Sequence, residues 1–375
     1  MNFSFFVPTK VLCGEGCLEQ LSQELPPLGL AGKKCLVVSG QRFARMTGLL
    51  DRIAGLLEKA RVSFEVFARV EPNPMPQTVQ EGVQLARKLK ARWLLAAGGG
   101  SAIDAAKAIA LLAVNQGELR QFAQGMRPEN PPLPLVAVPT TAGTGSEVTP
   151  YSIITNSKDQ DKFAISLPEL FPRLAFLDPQ LTLSCPEQLT TDAALDALCH
   201  AVEAYFSKRR SPLTDLLSNY AMGLILCNIL SVREQPQNLQ VRSQLLLASS
   251  VAGMAIANAG TLLPHALGYP LTIRYNLAHG RATALLEFGF LKKMEQIDPD
   301  RARQVGALLG SADSPSRGWR DLLERLGVAP QLQAWGVKPE EEKPTVALAM
   351  QKRHRQLSPG ELQESDLADI FRWSL

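Results

Sequence analysis

The chain has 375 residues, 46% of them hydrophobic and 20% charged, with a formal net charge of +3. That length suits two domains or one large α/β domain, ample to bury a core without staples. So small a charge, with no run of basic residues to concentrate it, excludes a nucleic-acid or acidic-polymer surface.

The first half alternates short apolar runs with helical stretches. Residues 34–39 read as a strand, followed by an amphipathic helix over about 42–60. Residues 64–67 and 93–97 read as further strands around a helix over 78–90, and 135–138 and 174–177 supply two more. Strand, helix, strand at this spacing predicts a mostly parallel sheet covered on both faces, which binds ligands outside the carboxyl ends of its strands. After about Thr182 the periodicity becomes helical, over 193–206, 214–230, 241–257 and 282–297. The expected division is an α/β domain over 1–183 and a helical domain over 184–375.

Leu245 to Leu263 runs nineteen residues without a charge, near membrane-spanning length. It is rich in Ala, Ser and Gly, carries Asn258 and lacks basic flanks, so a buried core helix is the expectation. The six cysteines (Cys13, Cys17, Cys35, Cys185, Cys199 and Cys227) form no Cys-x-x-Cys pair and read as free thiols in a reducing compartment. The N-terminus shows no signal-peptide pattern, and a cytoplasmic protein without membrane partners is expected.

Gly98-Gly99-Gly100-Ser101 follows a predicted strand and opens a helix that contains Asp104. Glycines there let backbone N–H groups approach a pyrophosphate, although a tight structural turn has the same sequence. A second loop, PTTAGTGSE from Pro139, follows another predicted strand and offers hydroxyls on the same sheet edge. Two such loops together favour a nucleotide.

Only four histidines occur: His200, His265, His279 and His354. Asp196 and His200 are four apart in a helical pattern, so both project from one face. His265 follows Pro264 and His279 precedes Gly280, which puts both at element ends. An Asp and three His form a donor set suited to Fe²⁺, Zn²⁺, Mn²⁺ or Co²⁺, whereas a single His is more often a structural residue. His354, in the basic run Lys352-Arg353-His354-Arg355, reads as solvated surface.

GGGSAIDAAK (98–107), PTTAGTGSEVT (139–149), DALCHAVEAY (196–205) and the segment from His265 to His279, ending in AHG, resemble the iron-containing alcohol dehydrogenase family. The four blocks agree in order and spacing, and the resemblance runs to the closing ESDLADIFRWSL. It implies a dinucleotide-binding α/β domain followed by an all-α metal-binding domain, the fold shared with dehydroquinate synthase-like enzymes. By position, Asp196, His200, His265 and His279 match the family's metal ligands. Gly98, Gly99, Gly100, Ser101 and Asp104 match its pyrophosphate loop, and Thr140, Thr141 and Thr144 its second nucleotide loop. Lys162 in DKFAI and Asn73 in EPNP match cofactor-side positions. The family resemblance also implies a homodimer.

Three departures stand out. Tyr269 occupies the position, four residues after the third ligand, where many members carry a histidine linked to proton movement. Ala278 and Thr283 replace a common Pro and Asn without removing a ligand. Gly40 ends the first predicted strand where many members carry an Asp that would repel a 2′-phosphate, and Arg42 or Arg45 follows it, so NADP(H) is expected beside NAD(H). The implied reaction is reversible hydride transfer between nicotinamide and a small aldehyde or ketone at Fe²⁺ or another divalent metal such as Zn²⁺. A metal-dependent lyase or synthase of the same fold is the alternative. So is a reductase for an anionic, phosphonate- or sulfonate-bearing aldehyde received by Arg274 and Arg281.

Overall fold

In the computed structural model, which describes residues 2–41, 47–156 and 160–375, eight strands form. They are β1 (Lys10–Cys13), β2 (Cys35–Gly40), β3 (Phe64–Val70), β4 (Trp93–Gly98), β5 (Leu135–Pro139), β6 (Tyr151–Asn156), β7 (Asp161–Ser166) and β8 (Leu174–Leu177). Six make one parallel sheet in the order β1-β8-β5-β4-β2-β3, and β6 and β7 pair as an antiparallel hairpin.

Alternation along the strands explains why both faces are covered. Leu36, Val38, Leu94 and Ala96 join one core with α2 (Pro76–Leu89) and α3 (Gly100–Val114). Their neighbours Cys35, Val37, Leu95 and Ala97 join the opposite core with α1 (Leu49–Lys59) and the Leu18–Leu30 segment. Strands apolar on both faces read in sequence as continuous runs rather than as alternation. The helix expected from residue 42 starts at Leu49, and positions 42–46 lie outside the described residues.

By contacts, Val7–Cys185 form one compact unit, and Met1–Phe6 with Pro186–Leu375 form another. The second unit has no strand among the described residues. Its principal helices are α4 (Glu187–Phe206), α5 (Pro212–Asn228), α6 (Leu239–Ala259), α7 (Leu263–Arg274) and α8 (His279–Ile297). Helix α6 packs against α4 and α5, and α8 against α4 and α7. The charge-free run from Leu245 is largely buried within α6, but it does not continue to Leu263 as one helix. It turns at Gly260 (φ +81), and α6 and α7 are bent by 111°. Pro212–Glu234 is long and apolar enough to cross a membrane by length and composition. It nevertheless carries Asp215 within 3.1 Å of Arg210 and 2.5 Å of Arg301.

Candidate functional site

Each unit holds one group of residues able to do chemistry. In the first, the sheet order turns back between β2 and β4, because β3 follows on one side and β5 on the other. Such a switch point opens a crevice at the strands' carboxyl ends. Gly40 ends β2 and Gly98 ends β4 there, and a Cβ on Gly98 would lie 3.9 Å from the Gly40 nitrogen. Gly100 opens α3, and the Ala102 and Ile103 nitrogens already donate to the Gly99 carbonyl at 3.0 and 3.3 Å, so the N–H groups at the very start of the helix are the ones that face a ligand.

The two polar loops lie against each other. A Cβ on Gly100 would come within 2.5 Å of Thr144 Cγ2, and one on Gly99 within 3.1 Å of Thr141 Oγ1. The Thr140 nitrogen donates to the Gly98 carbonyl at 3.1 Å. Asp104 turns toward the second loop, accepting from Ser146 Oγ and, at 3.1 Å, from the Ile153 nitrogen.

Sequence reasoning passed over Lys107, the last residue of the GGGSAIDAAK block. It is wholly buried, and its Nζ donates to the carbonyls of Ser146 and Tyr151, each at 2.7 Å, and to Ser146 Oγ at 2.9 Å. Burial pushes its pKa down to about 8, against the upward pull of Asp104 and Glu147. Burial likewise raises the Asp104 carboxyl, against Lys107 and Ser146.

Asn73, Ser101 and Lys162 come together from three separate elements. Asn73 adopts φ +60; its nitrogen donates to Ser101 Oγ at 3.2 Å, and its Oδ1 accepts from Lys162 Nζ at 2.7 Å. Arg42 and Arg45 lie outside the described residues.

In the second unit, three helices bring the other candidates together. Asp196 and His200 lie on one face of α4, His265 in the first turn of α7, and His279 at the first position of α8. Pro264 and the Gly280 approach described below explain why both later histidines sit at helix starts. Asp196 Oδ1 is 3.7 Å from Nε2 of both His265 and His279. One donor atom from each of these residues lies within 4.8 Å of the other two. The His200 ring stacks on His265 with centroids 4.7 Å apart, beside this trio.

The donor set fits a divalent cation. Separations of 3.7 Å are too long for hydrogen bonds but suit two donors each about 2.1 Å from one ion. Asp196 Oδ1 is buried and makes no hydrogen bond among the described residues, a costly state for a carboxylate unless a cation completes it. Gly280 sets the spacing: a Cβ there would meet the Asp192 carbonyl oxygen at 2.0 Å and Asp196 Cβ at 2.8 Å.

Glu203, absent from the sequence candidates, lies behind the trio. Its Oε1 is 2.5 Å from His265 Nδ1, and its Oε2 accepts from the Leu262 nitrogen. With Glu203 ionised, Nδ1 must carry the proton, which turns the Nε2 lone pair toward Asp196. Burial pushes the Glu203 carboxyl up to about 8, against the Leu262 N–H and His200, and a cation held beside His265 would pull it back toward the ionised form that the tautomer requires. Its spacing from Asp196 and His200 on α4 was the available signal, since 196, 200 and 203 share a helix face. Glu287 on α8 is wholly buried beside Cys199 and Glu203, and burial holds its carboxyl well above the usual range.

One alternative recedes and one expectation changes. Arg274 Nη1 lies 2.6 Å from Glu341 Oε2, and buried Arg281 is 2.8 Å from Asp192 Oδ1 with its guanidinium 4.3 Å over the Trp335 ring. Both arginines are neutralised within the fold, so neither is set up to receive an anionic aldehyde. His354 is half-buried rather than solvated: its ring meets Tyr269 edge to face at 5.8 Å, and Tyr269 in turn stacks on His279 at 5.7 Å.

A helical unit in which one Asp and two His converge, and a parallel sheet with a triple-glycine loop at its switch point and a threonine-rich loop beside it, fit a metal-dependent nicotinamide dehydrogenase. The chain belongs to the iron-containing alcohol dehydrogenase family. Residues 8–179 match "Iron-containing alcohol dehydrogenase", and residues 190–375 match "Fe-containing alcohol dehydrogenase family, C-terminal". It is an oxidoreductase acting on alcohol CH–OH groups.

A 1,3-propanediol dehydrogenase of Klebsiella pneumoniae is 32% identical over 99% of this chain and 98% of its own length. The solved structure of a 1,3-propanediol oxidoreductase matches all of both chains with TM-score 0.94 and 31% identity. A sulfoacetaldehyde reductase from Bifidobacterium kashiwanohense, solved with NAD⁺, matches with TM-score 0.90 and 28% identity, over 100% of this chain and 98% of that one.

Proposed function

We propose that the protein interconverts small aldehydes or ketones and their alcohols with NADPH or NADH, using Fe²⁺ or another divalent metal held by Asp196, His200, His265 and His279. The observation that carries this reading is the convergence of Asp196, His265 and His279 from three helices, with separations of 3.7 Å from a shared carboxylate oxygen. His200 completes the donor set from the same face of α4 as Asp196. When bound, the metal supplies Lewis acidity that polarises the substrate oxygen, and the nicotinamide carries the hydride.

The chain's own residues bind and orient. Gly98, Gly99, Gly100 and Ser101 take the pyrophosphate at the start of α3, and Thr140, Thr141 and Thr144 line the same sheet edge. Asp104 ties the two loops together, while Asn73 and Lys162 steady the nicotinamide side of the nucleotide. Glu203 holds His265 in the tautomer that a ligand needs, and Tyr269 covers His279. Gly40 leaves room for a 2′-phosphate, so NADP(H) is accepted at least as well as NAD(H).

A small neutral substrate follows from the engagement of Arg274 and Arg281 and from the 1,3-propanediol relatives. Iron is the proposed native metal, with zinc a competitor that such ligands generally bind more tightly. The protein works as a homodimer in the cytoplasm. The test is oxidation of NADPH and NADH by metal-stripped protein reloaded anaerobically with Fe²⁺ or Zn²⁺, with and without butyraldehyde. Metal-restored, aldehyde-dependent turnover is expected. Turnover independent of metal refutes the ligand assignment, and a large advantage for NADH refutes the Gly40 argument.

A further inference from the structure

Tyr269 does not stand alone on α7. It lies one turn after His265 on α7 and is buried, with its ring stacked on His279 at 5.7 Å and an interplanar angle of 28°. On another side the His354 ring meets it at 5.8 Å and 84°. His354 opens the short helix His354–Leu357, which packs on α7.

That segment is fixed at several points. The Leu357 carbonyl accepts from the Lys208 nitrogen at 2.8 Å, just past the end of α4. The Leu357 side chain fills the space over Gly260, where a Cβ would meet its Cδ1 at 2.6 Å. Arg355 Nη1 donates to the Leu362 carbonyl at 3.1 Å. The segment that carries His354 is therefore anchored just past α4, at the end of α6 and at Leu362, and its placement is not that of a loose basic surface run.

We propose that His354 is a positioning residue for the metal site, locking the Tyr269 ring against His279 and so fixing the imidazole of that ligand. The inference rests on the metal-site reading above. Its geometry forms a file of three rings, His279, Tyr269 and His354, in which the outer ring restrains the middle one. Lys352 Nζ also lies 5.9 Å from the Tyr269 ring.

Co²⁺ titration of metal-free protein tests this, followed by visible ligand-field absorption and by calorimetry on wild type, His354→Phe and His354→Ala. An edge-to-face ring contact sets the scale at roughly 2- to 10-fold in affinity. His354→Ala is expected to bind Co²⁺ more weakly by that factor and with an altered absorption band. His354→Phe, which keeps the ring, is expected to restore both. A purely structural role would lower the melting temperature of the metal-free protein and leave the band unchanged, which overturns the proposal. So does equal impairment of the Phe variant, since the nitrogen rather than the ring would then matter. Co²⁺ uptake by Asp196→Ala equal to that of wild type overturns the ligand assignment itself, a result distinct from failure of the His354 proposal.

Discussion

Gly280 is the tightest point of the metal site. Its backbone lies so close to α4 that an added Cβ would sit 2.0 Å from the Asp192 carbonyl oxygen, and contacts under 3.0 Å are essentially never seen. Gly280→Ala must therefore move the start of α8 away from α4 by about 1 Å, which overpacking data put at roughly 1–3 kcal/mol. The effect on the ligands is larger than the effect on stability. Asp196 Oδ1 and His279 Nε2 are 3.7 Å apart, and a 1 Å retreat along that line leaves about 4.7 Å. One ion at about 2.0–2.2 Å from each donor spans at most about 4.4 Å.

Gly280→Ala should thus lose most of its Co²⁺ affinity, and at least about 100-fold in kcat/KM from the misplacement, while its melting temperature falls by only a few degrees. Gly223→Ala is the control. It lies within α5 with nothing inside 4 Å of its would-be Cβ, so it should leave metal binding alone and stabilise by up to about 1 kcal/mol. The measurements are a Co²⁺ titration and a thermal melt of each variant. If Gly280→Ala keeps Co²⁺ affinity within twofold of wild type, close approach of the two helices does not set the ligand geometry.

Three further substitutions address the buried groups. Glu203→Gln keeps the shape but loses the anionic acceptor for His265 Nδ1, and should cost about 10- to 100-fold in metal affinity by calorimetry; an unchanged affinity removes Glu203 from the site. Glu287 has a folded pKa raised above its unfolded value, so the folded state holds the proton longer and wild type loses stability as pH rises above the ordinary carboxylate range. Glu287→Gln, which mimics the protonated acid, should become more stable relative to wild type as urea melts move from pH 5 to pH 8, and a constant difference refutes the assignment. Lys107→Met leaves buried Asp104 without its cation and should cost about 3–5 kcal/mol in urea unfolding. Nucleotide affinity should fall with it, and wild-type affinity in a folded variant would show that the loops hold their shape without the lysine.

What the sequence revealed follows from how each feature is encoded. The strands β2, β4, β5 and β8 are buried on both faces, so each appears as an apolar run with its own boundary. Strand β1 is exposed at both ends and only half-buried between them, and the β6–β7 hairpin mixes Tyr, Ser, Thr, Asn and Lys, so neither carries that signal. Asp196 and His200 were legible because helical spacing is local information. Lys107, Glu203 and Glu287 were not, because a buried charge is explained only by partners distant in sequence. His354 misled for the same reason: three basic neighbours suggest a wet surface, and only Tyr269, far away in the chain, shows where the ring is spent.

The donor trio has a consequence for the helical unit as a whole. Asp196, His265 and His279 belong to three different helices, so one ion held by them would tie α4, α7 and α8 into a single cross-link. An ion that binds the folded chain and not the unfolded one adds stability with the logarithm of its free concentration over its dissociation constant. Cellular metal supply would then govern the lifetime of the protein as well as its turnover. Starved of metal, the helical unit becomes the region where amide exchange and proteolytic cleavage begin.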